Sequence, residues 1–110
     1  MSLLNKKCVP CEDKNIQPYS IEESTELLQE IPTWRLSYDG RKINKEYHFR
    51  DFVESMHFVK KVATIAENEG HHPNIFISYN NVSLEMYTHA IDGLSENDFI
   101  VAAKIDAMWQ

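Results

Sequence analysis

The sequence predicts an α+β domain: a four-stranded antiparallel sheet with three helices on one face, in the order α-β-β-α-β-β-α. Three observations carry this reading. Two stretches of alternating polar and apolar residues are each broken by turn residues. A long segment of 3.6-residue periodicity lies between them. Capping signals open two further helices, one before the first alternating stretch and one after the second. The chain has 110 residues, 43% of them hydrophobic, with only 3 Gly and 4 Pro. That suits one domain with one core.

Residues 1–18 show no periodicity and contain Pro10 and Pro18, so they read as an N-terminal tail, leaving 19–110 as the single domain. Ser20 with Glu23 forms a capping box, and Ile21, Leu27, Leu28 and Ile31 give an apolar face, so the first helix is expected over 20–30, before Pro32. Residues 34–38 alternate, Asp39-Gly40 turns the chain, and 46–50 alternate again, a hairpin. Asp51 is placed to cap a long helix, which Gly70 ends. Phe52, Met56, Val59, Ala63 and Ala66 follow its period, with Phe58, Val62 and Ile65 as a flanking stripe; so wide an apolar arc suits either contact with a second subunit or deeper burial. Ile75 to Tyr79, an Asn80-Asn81 turn and Val82 to His89 form the second strand pair. Val82, Leu84 and Met86 should face inward. Ser95 and Asp98 then open the last helix, which carries Phe99, Ala102, Ala103 and Ile105.

Charge narrows the function classes. Seventeen acidic against 11 basic residues give a net charge of −6. A phosphate backbone is bound chiefly by clustered Lys and Arg, so neither nucleic acid nor an anionic membrane surface is expected as a direct partner. No apolar run approaches the roughly 18 residues of a spanning helix. The start lacks an apolar stretch suited to a signal peptide, so a cytoplasmic location is expected.

The candidate chemistry lies in histidines. His71-His72-Pro73 follows the end of the long helix, where the partial negative charge of the last carbonyls favours an imidazolium. Pro73 biases His72 toward an extended backbone, which splays the two rings apart. His89 is expected at the end of a strand, and Glu67, one helical turn before His71, is placed to orient it. Imidazoles that titrate near neutrality are suited to general acid–base work. The plainer alternative is surface histidines at a helix stop. A zinc site is the other rival, but this spacing fits no standard pattern. His48 and His57 read as structural. Cys8 and Cys11 form a lone CxxC with no second pair, most simply two reduced thiols in a tail. Trp34 suits either the core or a stacking plate beside a pocket.

Glu67-x-x-x-His71-His72-Pro73, with Tyr79, His89 and Asp98 at their spacings, resembles the pterin-4a-carbinolamine dehydratases. Trp34, the stretch from Tyr47 to Phe52, and Gly93 to Glu96 extend the resemblance, which covers roughly Ile21 to Ala107. It implies the same fold and a dehydration of 4a-hydroxytetrahydropterins to quinonoid dihydropterins, recycling the cofactor of aromatic amino acid hydroxylases. No metal or cofactor is implied. His71, His72 and His89 would be the active-site histidines, and Trp34, Glu67, Gly70, Pro73 and Thr88 would line the substrate site. Gly70 stands where some members carry an acid, which makes Glu67 the expected partner of His71. The resemblance also implies a homodimer or homotetramer. It further implies an alternative role as a partner-binding protein, either a modulator of a hydroxylase or a dimerisation cofactor for a transcription factor.

Overall fold

A computed structural model describes residues 3–8 and 17–109. Its helices are α1 (Ile21–Leu27), α2 (Phe52–Glu69) and α3 (Glu96–Met108). Its strands are β1 (Arg35–Leu36), β2 (Ile43–His48), β3 (Asn74–Ser78) and β4 (Asn81–Met86). They form one antiparallel sheet in the spatial order β1-β2-β4-β3. The expected α+β class and element order are those observed.

Pleat alternation sorts the central strands. Ile43 and Tyr47 of β2 and Val82, Leu84 and Met86 of β4 are buried. They form one core with Phe58 and Val62 of α2 and Phe99, Ile100, Val101, Ala102 and Ile105 of α3. Tyr47, Phe49 and Phe58 meet as a ring cluster, with centroids 4.5 Å (Tyr47–Phe58) and 5.0 Å (Phe49–Phe58) apart.

Local chemistry sets the boundaries. The Ser20 box closes in both directions, Glu23 N to Ser20 Oγ at 3.1 Å and Ser20 N to Glu23 Oε1 at 2.8 Å. The helix expected over 20–30 is α-helical only to Leu27; Leu28–Glu30 tighten to a 3₁₀ turn before Pro32. The first strand shortens to two residues because side chains take over the turn: Ser37 Oγ and Asp39 Oδ1 accept the amides of Lys42 and Arg41. Pairing resumes at Ile43, earlier than the Glu46 expected. In the second hairpin the turn residues are Tyr79 and Asn80, one position earlier than expected, with Tyr79 in the left-handed region at φ 51°.

The structure decides one open alternative and overturns one expectation. The Phe58, Val62 and Ile65 stripe of α2 is not left for a second subunit: together with Ala66 it meets the core, the alternative of deeper burial. Phe58 and Val62 are fully buried core residues, whereas Phe52, Val53 and Met56 are exposed. The helix carries apolar residues on more than one face, and periodicity alone cannot say which one the sheet covers. His89 does not end a strand. β4 stops at Met86, Thr88 and Gly93 form an isolated bridge, and His89–Ile91 make a 3₁₀ turn.

The N-terminal residues described are docked. Leu3–Asn5 form a short 3₁₀ turn, and Leu3 is buried against the core. Cys11 lies outside the described residues, and so therefore does the CxxC reading.

Candidate active site

Asp51 opens α2, its carboxylate accepting Glu54 N at 2.9 Å. Gly70 ends the helix at φ 67°, a conformation most side chains resist. That turn sends His71 back across the start of α3. His71 Nε2 lies 2.6 Å from Oδ1 of Asp98, and the two side chains are 11% and 0% exposed.

Asp98 is the hub of the cluster. Its Oδ2 accepts the Thr88 hydroxyl at 2.8 Å and the Ser95 amide at 3.0 Å. Because the Thr88 proton points to Asp98, the Ser95 hydroxyl, 2.8 Å away, donates to Thr88. Three hydrogen bonds to the Asp98 carboxylate offset the cost of burying it. An ionised carboxylate only accepts, so Nε2 of His71 carries the proton and donates to Asp98. That leaves Nδ1 to act as the base when the ring is neutral.

His72 points elsewhere, as the proline after it implies. Its Nε2 lies 2.5 Å from Glu67 Oε2, and both side chains are largely exposed. Glu67 thus partners His72 rather than His71, correcting the expectation. Five residues along the chain reach His72 across the Gly70 turn, while His71 is drawn inward to Asp98. His89 lies at the 3₁₀ turn one residue after Thr88, its ring 4.2 Å from that of Tyr87. Thr88 is buried, and Pro73 is half-buried just before β3. Asp98 therefore binds His71 directly and the residue before His89 through its hydroxyl.

Trp34 does not join this group. The indole is 3% exposed, and its N–H donates to Asp106 Oδ2 at 3.1 Å. Asp106 also accepts from Lys45 at 2.9 Å and Tyr47 at 2.8 Å. At about 1.5 Å per residue, eight residues of α3 put this cluster roughly 12 Å from Asp98. Burial, with the Asp106 charge and its hydrogen bond, pushes the Tyr47 phenol up. Trp34 is a core residue of the opposite end.

A polar depression of about 520 Å³ on the bare sheet face is lined by Arg35, Glu46, His48 and Ser83 among others, but by none of His71, His72 or His89. The buried hydrogen bonds linking His71, Asp98 and Thr88, rather than cavity size, mark the candidate site. Among the described residues, no three His, Cys, Asp or Glu side chains are grouped to hold a metal ion. No helix there is long and apolar enough to cross a membrane.

Fold and site together define a two-layer α+β domain with a histidine–aspartate cluster where the end of one helix meets the start of another. The family model described as pterin 4 alpha carbinolamine dehydratase matches residues 17–108, and the chain belongs to that family. It is 47% identical over 108 residues to a Nitrosospira multiformis protein provisionally named as such a dehydratase, covering 98% of this chain and 93% of that one. It is 42% identical to the Arabidopsis thaliana pterin-4-alpha-carbinolamine dehydratase 2, mitochondrial, covering 96% of this chain and 58% of that one. The crystal structure of a transcriptional coactivator/pterin dehydratase from Brucella melitensis superposes with a TM-score of 0.80 at 29% identity, over 86% of this chain and all of that one.

Proposed function

We propose that the protein dehydrates 4a-hydroxytetrahydropterins to quinonoid dihydropterins, with His71 and His89 as the acid–base pair and His72 in binding. The observation that carries the reading is Asp98, which holds His71 at 2.6 Å and takes the hydroxyl of Thr88, next to His89. Membership of the pterin dehydratase family supplies the substrate class.

The chemistry follows from what the substrate must lose. The 4a-hydroxyl leaves as water once protonated, and the electrons that replace it come from N5 as its proton is removed. Protonation and deprotonation are both required, and one imidazolium and one neutral imidazole supply them. His71, with its Nε2 proton committed to Asp98, acts through Nδ1. His72, tied to Glu67 at the surface, is suited to orient the pterin. Gly70 and Pro73 shape the turn that presents both rings.

The test is a stopped-flow measurement of freshly made 4a-hydroxytetrahydropterin with and without protein. Breakdown faster than the spontaneous rate, proportional to protein, is expected. No acceleration at micromolar protein would remove the reading.

A partner-binding role is the second reading, favoured by the exposed Phe52, Val53 and Met56 at the start of α2. Pull-down of an aromatic amino acid hydroxylase that is lost in Val53→Glu but kept in His71→Ala would establish it.

A further inference from the structure

Residues Leu3–Cys8 lie along α3, antiparallel to it, with Leu3, Lys6 and Cys8 each held against the fold. Leu3 is buried at 2% exposure beside a small cavity that it lines with Ile31, Ala103 and Asp106, and its amide donates to Glu30 at 3.1 Å. Lys6 pairs with Glu96, the first residue of α3, at 2.5 Å. Cys8 closes the run: its amide donates to Glu69 Oε1 at 3.0 Å, and its thiol lies 3.6 Å from the carbonyl of Asn97.

Those last contacts flank the candidate site. Glu69 is the final residue of α2, two before His71, and Asn97 directly precedes Asp98. The other Glu69 oxygen takes Lys104 of α3 at 2.7 Å, and the Glu69 side chain is only 7% exposed. One buried carboxylate therefore ties the N-terminal segment, the end of α2 and the middle of α3 together. The His71–Asp98 bond spans the same α2–α3 junction one or two residues further along.

We propose that Glu69 is a positioning residue for His71, and that the segment Leu3–Cys8 is a strap that acts through it to fix the His71–Asp98 bond. Glu69 and the strap act through neighbours in the chain: His71 lies two residues after Glu69, and Asp98 follows the Asn97 carbonyl that faces Cys8. The strap also lies outside the residues matched by the family model, which begin at 17. Its role follows from lengths: a short charge-assisted bond tolerates little displacement, and misplacing a catalytic group by about 1 Å can cost about 10²-fold in rate. The inference rests on the reading of His71 as an acid–base group.

The experiment compares the full chain with Glu69→Ala, Glu69→Gln and Lys6→Ala, with Leu36→Ala on β1 as a destabilised control. Two readouts are used: the His71 Nε2–H resonance with its exchange rate, and kcat and KM for freshly made 4a-hydroxytetrahydropterin. In Glu69→Ala the ring proton should exchange about tenfold faster, and kcat should fall about five- to tenfold with KM within about twofold. Glu69→Gln keeps an oxygen for the Cys8 amide and should recover more than half of both effects. Lys6→Ala should show the same pattern more weakly, and it replaces Glu69→Ala if that variant does not fold. Leu36→Ala should leave the His71 proton unchanged.

An unchanged His71 proton in both Glu69→Ala and Lys6→Ala overturns the proposal. So does a Gln variant as impaired as the Ala variant, because charge rather than anchoring would then be the cause. If wild type shows no turnover, the dehydratase reading fails, and the His71 proton alone decides the strap.

Discussion

Asp98 and Thr88 share a buried hydrogen bond of 2.8 Å, and through it the carboxylate that faces His71 also anchors the residue before His89. Ten residues separate the two along the chain, across the Thr88–Gly93 bridge. The site thus depends on a residue that need not touch substrate.

Asp98→Asn tests that dependence. The carboxamide offers donors where the carboxylate only accepted, so at least one of Thr88, Ser95 and His71 loses its acceptor. Leaving a buried polar group without its hydrogen-bond partner costs about 1–3 kcal/mol. Denaturant unfolding should show the loss. A kcat decrease of about 10²-fold or more should accompany it, within the range for disabling a general acid or base.

The histidines should separate by kinetic parameter. His71→Ala and His89→Ala should each lower kcat at least about tenfold, less than the full 10²–10⁴ because the hydroxyl also leaves unaided and water replaces a lost base in part. His72→Ala should raise KM more than it lowers kcat. His57, exposed on α2 beside Trp109, is the control and should stay near wild type. Loss of turnover in His72→Ala alone would refute this division of labour.

Acid should loosen the N-terminal segment before the core. Burial acts to raise the Glu69 carboxyl, but the Cys8 amide and the Lys104 ammonium outweigh it and hold it below the usual glutamate range. A group lowered on folding contributes stability above its unfolded pKa and loses it as pH falls through the folded value. The stability gap between wild type and Glu69→Gln should therefore be constant above about pH 5.5 and close progressively below about pH 4.5. Chemical denaturation across that range checks it. A gap that widens on acidification would reverse the sign assigned here.

Assembly follows from the sheet edges. β3 is an edge strand of Asn74-Ile75-Phe76-Ile77-Ser78 with no charge, and Phe76 and Ile77 are 58% and 41% exposed. Such an edge invites pairing with another chain, so at least a homodimer is expected by light scattering at micromolar concentration. Ile77→Lys should shift the mass toward monomer. Any joining of dimers into a tetramer would use Phe52, Val53 and Met56, since Phe58 and Val62 are fully buried. A monomeric wild type would exclude both.

Much of the fold was legible because local chemistry and burial agree. Asp51 and Gly70 bound α2 as their types imply, and the alternation of Val82, Leu84 and Met86 is the observed inward face. Strand ends were less legible, because Ser37 and Asp39 replace ladder bonds with side-chain bonds that periodicity does not register. In the site, the residues of the motif were visible but their pairing was not. Asp98 already had an evident task in opening α3, and nothing in spacing says that such a carboxylate has room for a histidine as well. Glu67 was given the nearer ring by helical register, whereas the left-handed turn at Gly70 passes it the next one. Trp34 had two plausible environments, and only the Asp106 contact distinguishes them.

The strand order β1-β2-β4-β3 also bears on how the chain reaches this state. β3 and β4 are joined by two residues, but β2 must find β4 across the whole of α2, with Ile43 opposite Met86 and His48 opposite Asn81. Loop closure over that span has to precede the contacts that reward it, which slows folding relative to the local hairpin. The barrier should then lie at the docking of β2 on a preformed β3–β4 hairpin and α2. Substitutions in the β2–β4 seam would slow refolding, whereas those in β1 or α1 would mainly speed unfolding. The His71–Asp98–Thr88 cluster draws only on residues C-terminal to β2, so the seam bears on the candidate site through the core it completes rather than through the site's own contacts.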